Sequence, residues 1–170
     1  MKLLRNILPI IFLSVVAMSA FSQSDSIALP LHKQFPTVPA FKLMKADSSF
    51  FLMNEVGKKK NKATVVIVFS PTCGHCRQQA EEITGNMKAL KDINFIFGTA
   101  YPVDDMAVFI SNHGLDKFAN ITVGHDKALM LSGFYKMRSL PGIFVYNKKG
   151  KLKAEFETNV TTQMLLDVLK

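Results

Sequence analysis

Cys73 and Cys76 are the two cysteines of this 170-residue chain, and Gly74 and His75 lie between them. Both sulfurs of such a pair fit on the first turn of a helix, so the tetrapeptide can cycle between a dithiol and a disulfide. Cys73 is expected at or just before the helix start, where unpaired backbone N–H groups and the positive end of the helix dipole stabilise a thiolate. A lowered thiol pKa then gives a nucleophile at neutral pH. Cys76 falls one turn inward, placed to attack the mixed disulfide and release the substrate. Cys73 attacks and Cys76 resolves. Gly74 and His75 are assigned to redox tuning: an imidazole beside the Cys73 thiolate favours the reduced, charged form and makes the disulfide a stronger oxidant.

Other uses of the pair fit less well. A bridge closing so short a loop does little to restrain the unfolded chain, because the entropic effect grows with loop length. Cys-x-x-Cys is also half of a zinc site, which His75, His113 or His125 could complete. Structural zinc sites usually supply a second close pair, and the sequence has none. No metal and no bound cofactor are expected.

The elements that must position the dithiol follow from hydrophobic patterning. Ala63 to Phe69 is a continuous, β-branched-rich run, the signature of a central strand covered on both faces. Ser70-Pro71-Thr72 ends it. Cys76, Ala80, Ile83, Met87 and Leu90 then recur at helical spacing, with Arg77, Gln78, Glu81, Glu82 and Lys88 on the other face. Gly85 is a candidate kink. Ile93 to Thr99 reads as a second strand, and Pro102 with Asp104 and Asp105 as a helix start before Gly114. A short strand at 121–123 and a helix capped by Asp126 and running to Tyr135 follow. Ser139-Leu140-Pro141-Gly142 leads into a hairpin of strands at 143–146 and 152–156. A final helix is expected to turn Val160, Met164, Val168 and Leu169 inward. Upstream, Phe41 to Met53 reads as a hairpin broken at Ala46-Asp47-Ser48-Ser49, and the prolines at 36 and 39 mark an extended edge segment. Interleaved strands and helices indicate an α/β domain with a mixed sheet.

Lys2 and Arg5, the apolar stretch Ile7 to Val16 and the small residues Ala20 and Ser22 stand in the order of a secretory signal peptide. The expected division is a signal peptide over 1–22, a flexible leader over 23–34 and one domain over 35–170. An uncleaved signal would serve as a membrane anchor. The net charge is +8. It concentrates only at Lys58-Lys59-Lys60 with Lys62, which is read as a solvated loop. With no interleaved aromatics there, nucleic-acid binding is excluded.

The chain resembles the thioredoxin superfamily, and within it the exported TlpA/ResA-like branch. The likeness spans roughly residues 35–170. It rests on Pro39-Ala40-Phe41, the strand Val65 to Phe69, Ser70-Pro71-Thr72-Cys73-Gly74-His75-Cys76-Arg77, Tyr135, Leu140-Pro141, the strand Ile143 to Tyr146, and Lys149-Gly150-Lys151-Leu152. The resemblance implies a thioredoxin-like fold, a central mixed sheet flanked by helices, with an N-terminal hairpin extension. It implies a cis Pro141 packed against the dithiol and Leu140 offering its backbone to a substrate strand. It also implies a thiol–disulfide oxidoreductase of the periplasm or cell envelope, acting on protein thiols or disulfides and exchanging electrons with a membrane or envelope partner. The alternatives are a dedicated envelope reductant, for example in cytochrome maturation, and a binding or chaperone module with secondary redox activity. The expected potential lies between the reference values of about −270 and about −180 mV, or near the upper one. Two positions depart from relatives: Ile67 and Gln79 stand where many carry an acid that takes the proton of the resolving thiol. That role is left unassigned, with His75 or water as substitutes. Tyr101 and Phe134 are read as core residues that could border the groove.

Overall fold

The computed structural model describes residues 29–58 and 62–170, so the expected signal peptide and part of the lysine cluster lie outside the described residues. A single helical turn, α1 (Leu31–Gln34), precedes a hairpin of β1 (Lys42–Met44) and β2 (Phe50–Leu52), then α2 (Met53–Lys58) and β3 (Ala63–Val68). The sulfur-bearing helix α3 (Gly74–Gly85) and the short α4 (Met87–Leu90) lead to β4 (Ile93–Thr99), α5 (Val103–His113) and β5 (Ile121–His125). Helix α6 (Met130–Tyr135), the hairpin β6 (Gly142–Tyr146) and β7 (Leu152–Phe156), and α7 (Thr162–Leu169) complete the order.

The strands form one mixed sheet in the order β2-β1-β5-β4-β3-β6-β7. β3 runs parallel to β4 and antiparallel to β6. Every residue of β3 and β4 is buried, which explains the unbroken apolar runs: both faces are covered. Val65 and Ile67 face a core shared with α3, α5 and α7, whereas Val66 and Val68 face a second core with α2 and α6. Alternate side chains of one strand thereby anchor both layers. Gly114, in the left-handed region at φ 60°, ends α5.

Three expectations need correction. The leader over 23–34 does not stay loose to its end, because His32 is buried against Phe134, Tyr135 and Phe144. Its Nδ1 lies 3.3 Å from the Phe134 carbonyl and its Nε2 2.5 Å from Glu155, so packing reaches back past residue 35. In α7, Leu165 takes the core position expected of Met164, which is exposed, while Val160, just ahead of the helix, and Val168 and Leu169 pack on the core as expected. The dithiol helix is also not continuous to Leu90. It breaks after Gly85, at Asn86, although Met87 and Leu90 still reach the same core.

Candidate active site

The end of β3 builds the site. Phe69 extends the ladder by donating to the Gly98 carbonyl, and the chain then turns through Ser70-Pro71-Thr72. The Thr72 N–H donates to Ser70 Oγ at 3.3 Å, and the Cys73 N–H to the Ser70 carbonyl at 3.1 Å. This closed turn delivers Cys73 as the N-cap of α3, with extended backbone angles and its sulfur accepting from the Cys76 N–H at 3.4 Å. The sulfur thus occupies the place of a capping oxygen.

The two thiols differ in environment. Cys73 is half-buried, whereas Cys76 is 1 % exposed. Burial alone would raise the Cys73 pKa. It is outweighed by the hydrogen bond from the Cys76 side chain, the N–H groups of Cys76 and His75, and the Arg77 charge, so the net shift is downward. Burial pushes the Cys76 thiol up to about 12, and the neighbouring Cys73 sulfur adds to the rise despite a hydrogen bond with the Ser70 backbone. The helix start therefore separates a thiolate-forming sulfur from a proton-holding one.

On the far side of the sulfur, the Cys73 thiol faces the Leu140 carbonyl at 3.7 Å. The Leu140–Pro141 bond is cis, Pro141 is buried, and Leu140 packs against both cores. Antiparallel pairing of β6 with β3, which sets Gly142 opposite Val68, brings this loop to the dithiol. Cys73, Gly74, His75, Cys76, Leu140 and Pro141 are thus one neighbourhood. The His75 imidazole differs from expectation: the side chain is exposed, and the group acting on Cys73 is its backbone N–H. The side-chain cation acting on Cys73 is Arg77 instead.

Several contributors escaped the sequence reading. Gln79 is fully buried and clamps Val160, accepting from its N–H at 2.7 Å and donating to its carbonyl at 3.1 Å. Its place between Cys76 and Ile83 on the apolar stripe was the available signal. Glu82 is not free on a polar face: its carboxylate accepts from the N–H and hydroxyl of Thr162, at the start of α7. Asn159 donates to the His75 carbonyl at 3.1 Å. Together these three side chains fasten the dithiol helix to residues 159–162. Tyr101 borders the site rather than the core. It is 39 % exposed, and hydrogen bonds with Ser70 and Thr72 hold its phenol below the usual range. Phe134 belongs to the second core.

A mixed sheet between helical layers, with a Cys-x-x-Cys pair at a helix N-terminus opposite a cis-proline, defines a thioredoxin-fold domain. The thioredoxin-like domain family matches residues 52–170, and the chain belongs to it. No curated protein matches the chain. Among solved structures, it is similar to a secreted Mycobacterium tuberculosis disulfide oxidoreductase homologous to E. coli DsbE, with 16% identity and a TM-score of 0.61 over 76% of this chain and 94% of that one. A thiol:disulfide interchange protein of the thioredoxin family from Chlorobium tepidum TLS aligns with 15% identity and a TM-score of 0.63, covering 79% of this chain and 96% of its own. M. tuberculosis DsbF gives 17% identity and a TM-score of 0.63, covering 78% and 97%. At these identities the likeness establishes the fold.

Proposed function

We propose that this chain is a thiol–disulfide oxidoreductase that acts outside the cytoplasm on protein substrates through Cys73 and Cys76. The observation that carries the reading is the placement of the two thiols: Cys73 as the N-cap of α3 beside the Leu140 carbonyl and cis Pro141, with the buried Cys76 one turn behind it. The names of the similar structures and the signal-like N-terminal sequence support the extracytoplasmic setting.

In the reducing direction the Cys73 thiolate attacks one sulfur of a substrate disulfide. A mixed disulfide forms, and the other substrate sulfur leaves as a thiolate. The Cys73 charge that helped hold the proton on Cys76 is then gone, so the Cys76 thiol ionises more readily. Its sulfur attacks Cys73 Sγ and expels the second substrate thiolate. Two electrons reach the substrate, the Cys73–Cys76 disulfide forms, and the Cys76 proton passes to a departing substrate thiolate. With Ile67 and Gln79 in place of acids, the substrate itself completes the proton balance. Oxidation of a substrate dithiol is the same sequence reversed. Leu140, beside the attacking sulfur, presents its backbone to the substrate strand. Hydrogen bonds at the helix start and the Arg77 charge stabilise the reduced form and so make the disulfide a stronger oxidant of substrates.

Insulin disulfide reduction by wild type and Cys73→Ser tests this reading. The variant is expected to lose turnover, and a variant as active as wild type would end the enzyme assignment.

A further inference from the structure

Among the described residues, a groove lies away from the dithiol. Its volume is about 710 Å³, within the range of small-molecule sites. Ala63 and Ile93, at the starts of β3 and β4, line it together with Leu166 and Leu169 of α7. Its rim carries Lys148 and Lys149 from the turn after β6, with Lys170 and Asp92. Cys73 follows the other end of β3, and Pro141 precedes the other end of β6. The groove and the dithiol therefore occupy opposite ends of the sheet.

The arrangement of its walls is specific. Ala63 and Ile93 are buried, and Leu166 and Leu169 are half-buried and pack on the main core. An apolar floor lies behind a charged edge. The charges on that edge do not cancel. Asp92 is met by Lys62 at 3.5 Å, and Asp167 by Lys170 at 2.5 Å. Lys148 and Lys149, both exposed, leave the rim net positive. Lysine stems can extend the apolar wall while their ammonium groups stay in water.

We infer that this groove binds a single-chain amphiphilic anion, a long-chain acyl carboxylate, with the chain along Ala63, Ile93, Leu166 and Leu169 and the head between Lys148 and Lys149. Burial of the chain supplies affinity in proportion to the apolar area removed from water, and the lysines select the charged head. The apolar lining is confined to Ala63, Ile93, Leu166 and Leu169 at one end of the sheet, an extent that fits a single chain better than a bilayer surface. Because the site lies at the opposite pole, occupancy leaves the dithiol accessible.

Titration calorimetry of the full chain with laurate, below its micelle concentration, tests the inference. One saturable site per chain is expected. Dodecyl maltoside, with the same chain length and an uncharged head, should bind at least 10-fold more weakly, and butyrate should give no saturation. The double variant Lys148→Glu/Lys149→Glu, confined to an exposed turn, should lose at least 10-fold in laurate affinity while reducing insulin at the wild-type rate. Absence of saturable laurate binding, equal affinity of the double variant, or equal affinity for the uncharged detergent each overturns the inference. Association with phosphatidylglycerol vesicles in the absence of laurate binding would identify a membrane-docking surface instead and also overturns it.

Discussion

Replacement of Gln79 by alanine should destabilise the domain far more than a surface-like glutamine on a helix would suggest. Gln79 is 0 % exposed and Val160 2 % exposed, and two hydrogen bonds join them. The substitution leaves a backbone N–H and a carbonyl buried without partners, at about 1–3 kcal/mol each, and adds a cavity term. A total of about 3–5 kcal/mol is expected, or a fall in Tm of about 10 °C or more for a domain of this size. Gln79→Glu separates the hydrogen-bonding contribution from the packing one. The introduced carboxylate still accepts from Val160 N–H, but it places a second acceptor against the Val160 carbonyl. The protonated carboxyl can donate there instead, so burial and this contact raise its folded pKa above the unfolded value. For an acid the sign is then fixed: the variant is closest to wild type below the unfolded carboxylate pKa, about 4.3, and loses stability progressively as pH rises above it. Urea unfolding of both variants at pH 4 and pH 7.5 is the assay. Losses within about 1 kcal/mol for both, with no pH dependence for Gln79→Glu, would refute the clamp, since that is the cost of a single ordinary hydrogen bond.

Other expectations concern the dithiol and the N-terminal strap. Iodoacetamide at neutral pH should add once, at Cys73, whose pKa is lowered, and leave the buried Cys76 unmodified, as peptide mass spectrometry would detect. Arg77→Gln removes a cation that favours the thiolate, so the alkylation midpoint should move to higher pH; His75→Gln should move it less, because residue 75 acts through its backbone N–H. A larger effect from His75→Gln would restore the imidazole to the tuning role. His32→Ala should cost about 2–3 kcal/mol through lost hydrogen bonds and ring contacts. It should expose the segment before Phe35 to limited proteolysis while insulin reduction continues; an unchanged digestion pattern would contradict the packing of α1.

The geometry of the candidate site was legible where dithiol chemistry would demand particular residues at fixed spacing. Cys73 and Cys76 on one turn, the apolar strand before them and Leu140-Pro141 before a hairpin each follow from local pattern or from family resemblance. The sheet follows from the same signals, since fully covered strands such as β3 cannot alternate. What escaped was set by tertiary partners. Gln79 reads as polar until Val160 is known to face it, and Glu82 reads as solvated until α7 starts beside it. Met164 and Leu165 are adjacent apolar residues, and only the docking angle of α7 decides which is buried. His32 sits in a polar, aperiodic stretch, so its burial depends on an aromatic cluster more than 100 positions away. The tuning role of the His75 imidazole was the natural reading of the tetrapeptide, but side-chain direction at the first turn of a helix is not encoded in spacing.

The central claim is that Cys73 attacks and Cys76 resolves, and trapping tests it most directly. Cys76→Ser is incubated with insulin, and the products are mapped by peptide mass spectrometry under non-reducing conditions. The account predicts a persistent mixed disulfide at Cys73 that wild type does not accumulate. No covalent adduct on Cys76→Ser, or a stable adduct at Cys76 in Cys73→Ser, would contradict it.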